Sequence, residues 1–88
     1  MFMIWKFQVE IVDRQTIHMP LGARIISAQV QGDTICLWAI VDPGSNPSPA
    51  TIRIVGTGQQ MPEVDMEHLG TVQMDQFVWH VFRERWHV

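Results

Sequence analysis

A two-residue rhythm of apolar and polar side chains recurs almost from one end of the chain to the other. Trp5, Phe7, Val9 and Ile11 alternate with Lys6, Gln8 and Glu10 in the opening segment. Successive side chains of a strand point to opposite faces, so this order collects the apolar groups on one side. The rhythm returns at Ile26, Ala28 and Val30, at Ile52 and Ile54, and at Phe77, Trp79 and Val81. No stretch sustains helical spacing, and only a single helical turn near Glu63–Leu69 is expected. The chain therefore reads as all-β.

Punctuation divides the rhythm into six or seven short strands. Ile4–Ile11 is the first, and Thr16–Met19 a short second one stopped by Pro20, which has no N–H to donate. Arg24–Gln31 and Thr34–Val41 flank Gly32-Asp33, a tight hairpin turn in which glycine takes positive φ without strain. Both faces of the second arm are apolar, with Ile35, Leu37, Ala39 and Val41 against Cys36, Trp38 and Ile40. That pattern predicts a strand covered on both sides. Asp42–Pro49 holds three prolines and a glycine and reads as a surface loop. Thr51–Thr57, Leu69–Met74 and Gln76–Arg83 complete the set, with an acidic irregular stretch over Gln59–His68. Turn signals at intervals of roughly 8–12 residues predict a small antiparallel sandwich or barrel. Connections too short for a crossover helix favour antiparallel pairing. The 88 residues are expected to form one domain, 1–88, with neither repeat nor second unit.

Charge and cysteine usage narrow the classes of function. The net charge is −3 and the six Lys and Arg residues are scattered, which argues against a coat for polymeric nucleic acid. One cysteine excludes an internal disulfide, and a domain this small in an oxidising compartment usually needs several, so an intracellular setting is expected. No apolar run reaches the roughly 20 residues needed to cross a bilayer, and no membrane partner is expected.

A resemblance is carried by phrases spread along nearly the whole chain. Ile4-Trp5-Lys6-Phe7, Met19-Pro20-Leu21-Gly22-Ala23, Cys36-Leu37-Trp38-Ala39 and Val41-Asp42-Pro43 are similar to a family of short tailed-bacteriophage and prophage proteins. Val55-Gly56-Thr57-Gly58, Leu69-Gly70-Thr71 and Phe77-Val78-Trp79-His80-Val81-Phe82 continue it in the same order. These are turn glycines and core aromatics, specific for a fold and silent about chemistry. The resemblance implies a phage accessory protein at work in the cytoplasm of the host, and it carries over no functional residue.

The residues themselves supply no catalytic set. His18, His68, His80 and His87 lack metal-ligand spacing, so neither a metal nor another cofactor is expected. Cys36 lies in the most apolar strand, where a thiol behaves as a small hydrophobe. Gly56-Thr57-Gly58 lacks the lysine and helix of a phosphate loop and reads as a strand-end turn. Glu63, Asp65 and Glu67 form an acidic loop, either solvated or offered to a basic patch on another protein. The richest binding segment is the last. Trp79 and Phe77 share one face, His80 and Phe82 the other, and Arg83, Arg85 and Trp86 follow, with Arg53 placed opposite Ile52 and Ile54. Aromatic rings stack on bases and arginine pairs bidentately with phosphate, so Arg53, Trp79, His80, Arg83, Arg85 and Trp86 are the candidate ligand residues. The plain alternative is that the aromatics fill the core and the arginines are solvated or line a subunit interface.

Three readings follow. The chain is a binder that inhibits a host defence component or another host protein. Alternatively it is an oligomeric sponge for a cyclic-nucleotide immune signal, or a minor virion component. An enzyme, a small hydrolase, stands behind all three. A homo-oligomer is expected, because a short β domain has sheet edges to pair and this chain has eight Phe and Trp and six Met residues to cover them.

Overall fold

The computed structural model describes residues 1–85. It is all-β: β1 (Met3–Val9), β2 (Arg14–Pro20), β3 (Arg24–Gln31), β4 (Thr34–Val41), β5 (Pro47–Gly56), β6 (Met66–Met74) and β7 (Phe77–Glu84). They form two antiparallel sheets, of order β1-β4-β3 and β2-β5-β7-β6. The architecture is a sandwich, as the alternation predicts.

Residues opposite one another in register share a face. In the three-stranded sheet Ile35, Leu37, Ala39 and Val41 point inward, in register with Val9, Phe7, Trp5 and Met3 of β1. In the four-stranded sheet Ala50, Ile52 and Ile54 of β5, Val72 of β6 and Val81 of β7 point back at them and form the buried core with Val9 and the four β4 residues, Phe7 packing at its margin and Met3 and Trp5 remaining exposed. Leu37, Ala39, Ile52 and Val81 have no exposed surface at all.

The sandwich closes along one side, where β3 lies over β6. Gly70 makes that approach possible: a Cβ there would stand 3.0 Å from the Ala28 side chain and 3.1 Å from its carbonyl oxygen. On the opposite side β1 and β2 are the outermost strands of their sheets.

Several element limits differ from the expectation, each for a physical reason. Met66, Glu67 and His68 belong to β6, so the acidic irregular stretch ends at Asp65 and no helical turn forms over Glu63–Leu69. Ile11 lies beyond β1 and is exposed. Pro47 and Pro49 belong to β5 rather than to a loop. Leu21 donates to the Asn46 carbonyl and Ile54 to that of Asp13, so the even residues of β5 address the β2 side. The odd residues, both prolines included, address β7, which pairs only from Ile52 onward. The missing N–H groups therefore fall where no partner strand exists, and β2 extends to Pro20 against them.

Candidate functional site

The outward faces and the open ends hold the groups available for recognition. On the three-stranded sheet the outward residues of β4 are Cys36, Trp38 and Ile40. The Lys6 side chain crosses this face to reach Gln31 at 2.7 Å, and Cys36 is buried there. Trp38 and Ile40 are half-buried, with Ile4 of β1 beside Ile40 in register and 59% exposed. A bulge between Ile25 and Ser27 leaves Ile26 unpaired and exposed next to this stripe. Lys6, Gln8, Arg24, Ser27 and Gln29 frame it. The expectation of cover on both sides of this strand holds only in part: one face is core, and on the other Cys36 is buried while Trp38 and Ile40 are half-exposed. Cys36 is buried between Gln8 and Gln29, with its thiol 3.8 Å from the Thr34 carbonyl.

The outward face of the four-stranded sheet is polar and internally satisfied. Arg53 bonds Glu84 at 3.0 Å, lies 3.6 Å from Asp13 and donates to the Asp13 carbonyl. Arg14 joins the same carboxylate at 3.2 Å. Beside them Thr57 and His80 Nε2 are 2.8 Å apart, His80 Nδ1 and Thr71 3.0 Å, and Thr71 and His68 Nε2 3.0 Å. The Thr71 hydroxyl has one proton, so it donates to one imidazole and accepts from the other. Both ring nitrogens of His80 are engaged by threonine hydroxyls. Phe82 packs on His68 with ring centroids 5.3 Å apart.

The environment of Glu84 clearly moves its carboxyl. The hydrogen bond from Arg53 holds its carboxyl below the ordinary 4.5, assisted by Arg14 and opposed by desolvation. A depressed carboxylate stabilises the fold fully above its ordinary value and loses that contribution as pH falls through the lowered one. Glu84→Gln should therefore cost about 1 kcal/mol at neutral pH, discounted for partial exposure. In urea titrations the gap from the unsubstituted protein should close on acidification.

A cleft of about 680 Å³ opens where β5 runs unpaired past the ends of β6 and β7, lined by Met19, Ala50, Glu67, Arg83 and Arg85 among others. Arg83 faces inward and reaches the Ala23 carbonyl at 3.4 Å. Arg85 bonds Asp65 at 2.6 Å and the Met66 carbonyl at 3.1 Å.

These positions divide the expected ligand residues. Arg53 and His80 lie on the outward face of the four-stranded sheet, Trp79 on its inner face, and Arg83 and Arg85 at the cleft. Trp79 is half-buried, stacked on Phe77 at 5.8 Å and packed against the core. Trp86 lies outside the described residues. Of the acidic loop, Glu63 is exposed in a bend, Asp65 holds Arg85, and Glu67 stands across from Arg83. Among the described residues no group of three or more His, Cys, Asp or Glu side chains is placed to hold a metal ion. Sequence reasoning missed the presented stripe of Ile4, Trp38 and Ile40, whose signal was the doubly apolar pattern of β4 itself.

Fold and faces together define a small two-sheet β-sandwich with a half-exposed apolar stripe on one outer face. The chain belongs to the family described as Domain of unknown function (DUF7352), whose model matches residues 1–87. No curated protein and no solved structure matches it.

Proposed function

We propose that this protein is a phage accessory factor that binds a protein of the host bacterium, a defence component first among them, and inhibits it by occupying its surface. The observation that carries the reading is the outward face of β4. Trp38 and Ile40 are only half-buried there, with exposed Ile4 and Ile26 beside them, while the same strand has four fully buried residues on its other side. Interfaces concentrate their energy in a few central aromatic and aliphatic anchors ringed by polar groups, and Trp38 within its frame of Gln8, Ser27, Gln29 and Lys6 has that composition. The resemblance to short tailed-phage proteins supplies the setting. The arginines support the sponge reading less well, since Arg53 and Arg85 already have carboxylate partners and Trp79, on the same face as Arg83, is packed against the core.

Affinity capture from bacterial lysate should recover a partner with the unsubstituted chain and lose it with Ile40→Asp, whose side chain lies outside the core. Equal capture by both, or none by either, contradicts the proposal. Heat on titration with cyclic di- or trinucleotides would instead favour the sponge.

A further inference from the structure

The sheet edges of this sandwich are not equally protected. The β3 and β6 edges close on each other through Ala28 and Gly70. The unpaired stretch of β5 carries Pro47 and Pro49, and the β2 edge carries Arg14, His18 and Pro20. Prolines and charges are the usual guards against edge-to-edge association. The β1 edge has neither proline nor bulge, and its only charge, Lys6, is turned back over its own sheet to Gln31 at 2.7 Å. Its apolar side chains are also unusually bare: Phe2 is 74% exposed, Ile4 59%, Met3 46% and Trp5 37%.

The main-chain direction of this edge can be worked out. The Gly32–Asp33 turn has two residues, with Gly32 at φ 65°, so Gln31 and Thr34 exchange both hydrogen bonds. Even residues of β4 therefore bond β3, and odd ones bond β1. Across that ladder Met3, Trp5, Phe7 and Val9 face β4. Ile4, Lys6 and Gln8, with Phe2 one step beyond the strand, turn their N–H and C=O groups to the free edge.

We infer that β1 pairs antiparallel with β1 of a second copy about a twofold axis at Trp5, joining two three-stranded sheets into one. Centring on Trp5 matches residues 1–9 with 9–1. Ile4 then faces Lys6 of the second copy, and Phe2 faces Gln8, each pair exchanging both main-chain bonds. The two Trp5 side chains meet at the axis on the inner face. Centring on Lys6 would oppose two ammonium groups. Centring on Phe7 or Gln8 would need Glu10, whose N–H and C=O are already taken by the Gln15 side chain. An isologous contact of this kind closes on itself and gives a dimer, not a fibre.

The inference does not rest on the proposed host partner, because its assay contains only this chain. Light scattering of the full chain should return twice 10.2 kDa. Ile4→Lys places a second cation opposite Lys6 and should return a single chain, whereas Ile4→Glu places a carboxylate there and should keep the dimer. A monomeric unsubstituted chain, a dimeric Ile4→Lys or a monomeric Ile4→Glu each overturns the inference. Should a variant lose its β spectrum, amide exchange on the unsubstituted chain decides. Slow exchange at Ile4, Lys6 and Gln8 supports the pairing, and exchange at free-coil rates overturns it.

Discussion

Leu37→Ala should lower the free energy of unfolding by about 3 kcal/mol in urea titrations, the largest effect of any truncation in β4. Leu37 has no exposed surface and sits in the central strand of its sheet, between Phe7 and Ala28. Its loss removes transfer energy and leaves a hole that flanking strands, each hydrogen-bonded to β4, cannot collapse to fill. A domain of this size has only about 5–10 kcal/mol in total, so the variant should be folded but close to its limit at physiological temperature. A loss below about 1 kcal/mol would mean that the two sheets do not pack through this residue.

Gly70→Val should cost a similar amount, about 3 kcal/mol, by the opposite mechanism. No cavity forms; instead a Cβ would arrive 3.0 Å from the Ala28 side chain and 3.1 Å from its carbonyl oxygen, and valine adds two methyls beyond it. Both Ala28 atoms, its Cβ and its carbonyl oxygen, are fixed by the main chain, so neither can yield by changing rotamer. Ala28→Gly in the same chain should recover about 1 kcal/mol despite the poor strand propensity of glycine, because it removes one of the two clashing groups. Strictly additive costs for the two substitutions would show that β3 and β6 do not close the sandwich there.

How far the chain could be read in advance depended on whether its cues were local. The limits of β3 and β4 follow from alternation on either side of Gly32-Asp33, because a two-residue turn fixes where both arms begin. Pro47 and Pro49 misled in the other direction. A proline excludes one hydrogen bond on one side of a strand, and only the register between β5 and β7 reveals that this side is vacant. Period-two patterning likewise places Trp38 and Ile40 opposite Leu37 and Ala39 without saying whether a second layer covers them. The arginines were recognisable as candidates, but their partners were not: Arg14 and Glu84 meet across 70 positions of sequence. The union of Thr57, His80, Thr71 and His68 into one hydrogen-bonded chain is equally a product of strand register.

The most direct test of the account sets the two faces of β4 against each other. Ile40→Ser, measured by urea unfolding beside Leu37→Ala, should cost no more than about 1 kcal/mol, since its side chain lies on the presented face. If Ile40→Ser proves as damaging as Leu37→Ala, that face is packed against something within the fold, and the surface on which recognition is proposed does not exist.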